Sequence, residues 1–187
     1  MPDFTALAPL SGARFLDGDA RNGAALRLLP AAAQFVFRGP GETALLAGQA
    51  FGVALPIQAC RAARAGDRAA LWLGPDEWLL ISPPDPAVQV ETIIAGALGD
   101  TPYSIVGVGH RNFALQIEGP RAARVLNAGC PLNLDLEAFP DGMCTRTVLA
   151  KAQVVLWRTG PETFYIGVWR SFAPYVWDYL VEARARL

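Results

Sequence analysis

His110 is the one histidine in 187 residues, and it sits in Val106-Gly107-Val108-Gly109-His110-Arg111-Asn112. Gly107-Val108-Gly109 supplies the first two glycines of a dinucleotide-binding loop. Asn112 stands where the third is required, and residues 113–117 continue as a strand instead of opening a helix, so a Rossmann site is not expected. Gly39-Pro40-Gly41 lacks the Gly-Lys-Ser/Thr end of a phosphate-binding loop, and no serine occupies a Gly-x-Ser-x-Gly elbow. A lone histidine cannot assemble a metal cluster. Cys60, Cys130 and Cys144 are odd in number and widely spaced, with no C-x-x-C pair, so neither a zinc site nor a disulfide framework is indicated. His110 has the chemistry of a general base or a ligand contact, but a histidine at a strand end is more often satisfied by a backbone carbonyl. Cys130, in Gly129-Cys130-Pro131, reads as a small buried hydrophobe, because no second group to activate its thiol is visible. The residues therefore predict no catalytic residue and no metal ligand on this chain.

The cations and large aromatics are read in the same way. Arg146, Lys151, Arg158 and Arg170 could converge, but scattered surface charge is the default. Arg61, Arg64 and Arg68 would share one face if residues 56–68 were helical, and such a stripe is usually a solvated face. Trp72, Trp78, Trp157, Trp169 and Trp177 fall at strand or helix core spacing and read as packing residues, with one or two of them available as interface anchors.

Composition narrows the partners. Apolar residues make up 52% of the chain and charged residues 18%, against a usual charged share of about 25%. The net charge of −1 offers no clustered cationic field for nucleic acid. An apolar, charge-poor surface suits a subunit that covers part of itself with a partner, although an alanine-rich domain that is merely sparing with charge would look the same. No run approaches the roughly 20 apolar residues of a membrane span. The N-terminal stretch with Asp3, Arg14, Asp17 and Asp19 has no signal-type apolar run. A cytoplasmic protein with no membrane contact is expected.

The elements that must position these residues are written twice. Gln34-Phe35-Val36-Phe37-Arg38-Gly39-Pro40 is matched by Leu115-Gln116-Ile117-Glu118-Gly119-Pro120, and Leu46 by Leu126, at one constant offset. The hairpin around Gly74-Pro75-Asp76 is matched by the one around Thr159-Gly160-Pro161, turn residues standing where turns need them. Pro40 and Pro120 suit a first helical turn, and Gly129 the end of the helix over 122–128. Val90, Ile93, Ile94, Ala97 and Leu98 keep helical spacing up to Gly99. Ser171 suits the N-cap of a last helix that carries Pro174, Val176, Leu180 and Ala183. Residues 1–30 read as an irregular lead-in with one strand at about 24–29. The fold class is α+β, built from two β-α-β-β-α (ferredoxin-like) pseudo-repeats at about 30–100 and 103–187 within one domain.

An ordered motif series covers nearly the whole chain, roughly residues 30–187. It runs from Leu73-Gly74-Pro75-Asp76-Glu77-Trp78-Leu79-Leu80 through Gly129-Cys130-Pro131-Leu132-Asn133-Leu134 and Phe139-Pro140 to Arg170-Ser171-Phe172-Ala173 and Trp177. The series resembles the gamma subunit of heterotetrameric sarcosine oxidase, a family that in turn looks like the folate-binding domain of aminomethyltransferases. The resemblance implies a structural subunit working beside alpha, beta and delta subunits. Those subunits hold FAD, FMN, NAD and tetrahydrofolate, a small one carries zinc, and the whole enzyme demethylates sarcosine to glycine. In aminomethyltransferases the segment matching 106–111 usually reads Asp-x-Ser-His. Here Gly107 and Gly109 replace the acidic and hydroxyl residues, and only His110 fits. Any ligand contact on this chain is thus expected at His110, Arg111 or Arg170, and the alternative reading is a stand-alone tetrahydrofolate-binding protein or aminomethyltransferase-like enzyme.

Overall fold

Alternation along the strands sorts the apolar residues into three cores. On the last strand Phe164, Ile166 and Val168 face one way, while Tyr165, Gly167 and Trp169 face the other, because successive strand side chains point to opposite faces. Both faces are covered along most of this strand, so its sequence is almost continuously apolar. The computed structural model describes residues 23–84 and 87–186. Residues 1–22, most of the expected lead-in, lie outside the described residues.

The order is β1 (Ala25–Leu28), β2 (Ala33–Arg38), α1 (Gly41–Phe51), β3 (Ala62–Ala65), β4 (Arg68–Gly74), β5 (Glu77–Ser82), α2 (Ala87–Leu98), β6 (Ser104–Gly107), β7 (Asn112–Glu118), α3 (Ala122–Asn127), β8 (Cys144–Leu149), β9 (Ala152–Gly160), β10 (Thr163–Trp169) and α4 (Ala173–Ala185). Two five-stranded sheets form, ordered β3-β4-β5-β2-β6 and β8-β9-β10-β7-β1. Every strand pairing in them is antiparallel. One core joins α1 and α2 to the first sheet, another joins α3 and α4 to the second, and the third lies between the sheets. The result is a four-layer α+β duplication.

Several local expectations change. Each unit has one strand more than the sequence suggested, β3 in the first and β8 in the second, giving β-α-β-β-β-α. The first was hard to see because Ala62-Ala63-Arg64-Ala65 has no β-branched or aromatic residue. Arg61, Arg64 and Arg68 therefore sit in a strand and hairpin, not on a helix face, and Arg68 donates to the Phe51 carbonyl at 2.6 Å. Ser171 is not an N-cap. A 3-10 turn over Arg170–Phe172 precedes α4, whose cap residue is Phe172 with no side-chain bond. The helix α3 ends at Asn127 with Ala128 as its C-cap, so Gly129 follows the helix end as expected but without a left-handed backbone. Gly129 is needed for close approach instead: a Cβ there would lie 2.7 Å from the Tyr179 hydroxyl oxygen. Helix α2 buries Val90, Ile94 and Leu98 but leaves Ile93 and Ala97 exposed, and Leu46 is exposed where its sequence match Leu126 is buried.

The lead-in strands are exchanged. β1 precedes the first unit yet pairs with β7 of the second, Leu26 opposite Ile117. β6 precedes the second unit yet pairs with β2 of the first, Val106 opposite Val36. Each unit thus completes the other's sheet.

Candidate functional site

The tight connection from β6 to β7 sets the geometry of a polar region between the sheets. Val108 donates its amide to the Gln34 carbonyl at 2.7 Å, and the amides of Arg111 and Asn112 return to the Val108 carbonyl at 3.1 and 3.2 Å. Gly109 is held against the start of β2, where a Cβ would come within 3.1 Å of the Ala32 carbonyl oxygen. A serine at this position would press on that backbone, a physical reason for the departure from Asp-x-Ser-His.

That turn delivers Asn112 to the buried amide of Gln34, Nδ2 donating to Oε1 at 3.2 Å. The Oδ1 of Asn112 is buried and has no partner, which costs free energy unless something supplies a donor. Asn112 is also opposite Trp169 in the β7–β10 register. The Arg111 guanidinium lies 5.4 Å from the centre of the Trp169 ring, within range of a cation–π contact. Between the sheets is a cleft of about 640 Å³, bounded by Gln34, Val36, Asn112, Val148, Gln153 and Trp169, with Arg111 and Arg146 also in its wall.

The remaining cations do not converge. Arg146 is held by both carboxylate oxygens of Glu77. Lys151 is exposed at the β8–β9 turn. Arg158, expected on the surface, is buried, because the carbonyls of Leu134 and Pro161 accept its N–H groups and the Phe164 ring lies beneath it at 4.3 Å. Burial lowers its pKa, and Asp141 and Asp135 pull it back up. His110 is exposed rather than tied to a backbone carbonyl. It lines a cavity of about 480 Å³ with Pro30, Ala32 and Arg170. Arg111 and Arg170 share a further groove of about 540 Å³ with Trp169, Ser171 and Pro174. The three residues singled out from the sequence thus lie in one neighbourhood, spread over two adjoining hollows.

Chemistry is scarce here. Burial pushes the Cys144 thiol up to about 12, helped by the neighbouring Cys60, and burial raises the Tyr165 phenol as well. Both stay protonated at neutral pH. Cys130 is buried in the second unit's core, as its surroundings in sequence suggested. Among the described residues no group of three or more His, Cys, Asp or Glu could hold a metal ion. Sequence reasoning missed Gln34 and passed over Asn112. A lone amide inside the apolar run Ala33-Gln34-Phe35-Val36-Phe37 was the available signal.

Fold and site together define a duplicated two-sheet α+β scaffold of the aminomethyltransferase fold type, with a cleft between its sheets. The chain belongs to the sarcosine oxidase gamma subunit family, whose family model matches residues 38–186. It is 37% identical over 146 residues to the sarcosine oxidase subunit gamma of Corynebacterium sp. (strain P-1), covering 78% of this chain and 70% of that one. It is 35% identical over 144 residues to that of an Arthrobacter species, covering 76% and 69%. Among solved structures, a chain of the heterotetrameric sarcosine oxidase from Corynebacterium sp. U-96, in complex with pyrrole 2-carboxylate, superposes with a TM-score of 0.83 at 33% identity. That match covers 98% of this chain and 93% of the other. The glycine cleavage system aminomethyltransferase T from Bartonella henselae shares the fold, with a TM-score of 0.66 at 15% identity, over 94% of this chain and 49% of its own.

Proposed function

We propose that this chain works as the gamma subunit of a heterotetrameric sarcosine oxidase, and that its part there is structural, not catalytic. The observation that carries the reading is the match over 98% of this chain and 93% of a chain from such a heterotetramer. The thiol and phenol that stay protonated at neutral pH support the non-catalytic part. On this reading alpha, beta and delta subunits hold FAD, FMN, NAD and tetrahydrofolate, and the assembly is cytoplasmic. No helix among the described residues is long and apolar enough to cross a membrane.

The test is to tag this chain, co-express it with the neighbouring gene products and analyse what co-elutes. Three further subunits in equal amounts, sarcosine-demethylating activity in the complex, and a colourless, inactive isolated chain are expected. A soluble, active monomer sinks the assignment, and a yellow isolated chain returns flavin to this subunit.

The second reading, a stand-alone tetrahydrofolate-binding protein, draws on the unpartnered Asn112 Oδ1 beside the cleft. Calorimetric titration of the isolated chain decides it. Saturable micromolar binding, lost on Asn112→Ala or His110→Ala, favours folate; no heat removes this reading.

A further inference from the structure

We propose that the face running from the cleft mouth over the start of α4 is where a partner subunit docks, and that the docked segment brings a carboxylate to Arg111. The proposal rests on the subunit reading above and names the surface through which that subunit assembles.

Three observations support it. The first is exposed aromatic area close in sequence to the groove. Trp169 is 49% exposed, Phe172 39% and Tyr175 38%, all within seven consecutive residues. Tryptophan, tyrosine and arginine are the residues that most often dominate interface energetics. Trp169 is also the outlier among five tryptophans, the other four being buried or partly buried.

The second is charge. The cleft, the groove beside it and the His110 cavity have Arg111, Arg146 and Arg170 in their walls and no carboxylate among their lining residues. Of these, Arg146 on β8 is paired with Glu77, as Arg38 on β2 is with Asp76. Arg111 stacks on Trp169 and forms no ion pair with any described residue. On a chain of net charge −1 Arg111 is therefore a cation that an acidic side chain of a partner can meet.

The third is continuity. Arg111 and Trp169 belong to both the cleft and the groove that ends at Pro174. A protein segment can span both, giving an apolar side chain to Trp169 and a carboxylate to Arg111. A small ligand in the cleft would leave Phe172 and Tyr175 in water. Another exposed apolar site, Leu45 and Ile57 beside α1, has no cation in its groove wall and no unpartnered polar atom.

The test uses the co-expressed complex. Arg111→Glu and Trp169→Ala, each checked by circular dichroism, are expected to cut partner recovery about ten-fold or more, as hot-spot truncations do. Leu45→Gln and Ile57→Gln are expected to recover the wild-type amount. A photo-crosslinking amino acid placed at Phe172 of the otherwise wild-type chain should form an adduct with a larger subunit, through a peptide containing Asp or Glu. Full recovery with Arg111→Glu and Trp169→Ala overturns the proposal, as does loss confined to the Leu45 and Ile57 variants. Tetrahydrofolate binding in the cleft of the assembled complex would give the site to a small molecule and overturn it too. If the wild-type chain recovers no partner, the subunit reading itself falls.

Discussion

Arg158 sits in β9 with its guanidinium over the Phe164 ring, donating to the carbonyls of Leu134 and Pro161. The Leu134 carbonyl belongs to the irregular segment between α3 and β8, and the Pro161 carbonyl to the β9–β10 turn. Removing the cation leaves two inward acceptors unmet, so Arg158→Met should destabilise by roughly 2–4 kcal/mol. Urea unfolding reads this loss, and partner recovery by the folded variant should stay at the wild-type level. Tyr165 is the opposite case. Its hydroxyl is buried without a partner, so Tyr165→Phe should be neutral or stabilise by about 1 kcal/mol at neutral pH. Cys144 gives a pH signature. Its folded pKa of about 12 lies above the ordinary 9.0, so in that window the unfolded chain has lost a proton that the folded chain keeps. Stability is therefore full below pH 9 and falls as pH rises, by up to about 1.4 kcal/mol per pH unit. The Tyr165 phenol adds the same sign of effect at higher pH. Urea midpoints followed into alkali should fall less steeply for Cys144→Ala than for the wild type; parallel slopes would mean that this thiol is not the group responsible.

At the scale of elements, the exchanged strand β1 depends on one glycine. Gly119 has φ +120°, and a Cβ there would lie 2.6 Å from the Gly23 carbonyl oxygen, just ahead of β1. That carbonyl accepts the Arg121 amide at 2.8 Å, so strand entry and the start of α3 are set together. Gly119→Ala should cost roughly 2–4 kcal/mol, from backbone strain and the displaced contact. Hydrogen exchange should localise the loss to residues 25–28 and 115–118, while the β2–β5 pairing keeps its protection. Equal loss in both sheets would count against a local cause. The matched Gly-Pro pairs showed where helices follow strands, but not that Gly119 and Gly39 differ in backbone role. Hairpins were legible because Gly74-Pro75-Asp76 and Thr159-Gly160-Pro161 carry their own turn chemistry. The strand β3 was not, since Ala62-Ala63-Arg64-Ala65 is recruited by its neighbours rather than by propensity, whereas β8, with Thr145, Thr147 and Val148, carried a strand signal that was passed over. The site was legible only in part for the same reason. Arg111 and Arg170 carried their chemistry openly, whereas Gln34 and Asn112 matter because two sheets bring them together.

At the scale of the whole molecule, strand exchange and the shared third core make the two units interdependent. Leu26 of β1 is fully buried among residues of the second unit. Ala69, Leu71 and Leu79 of the first sheet pack against Ala114, Trp157 and Tyr165 of the second. A backbone seam adds to this: Ala62 donates to the Gly142 carbonyl at 2.8 Å, and Cys144 to the Cys60 carbonyl at 3.0 Å. A fragment of residues 103–187 would therefore expose the outer edge of β7, leave the place of Leu26 empty and open the inter-sheet core to water. An unpaired apolar edge of this kind invites aggregation. The full chain is expected to unfold in a single calorimetric transition, with van 't Hoff and calorimetric enthalpies equal. The fragment alone is expected to stay unfolded or aggregate, and to gain structure when a peptide of residues 23–32 is added to restore β1. Two resolved transitions in the full chain, or a well-dispersed NMR spectrum from the unaided fragment, would show that the units fold separately. If the units fold only together, the start of α4, the Arg111 turn and the cleft walls form one rigid face, and a partner meets a surface already in place.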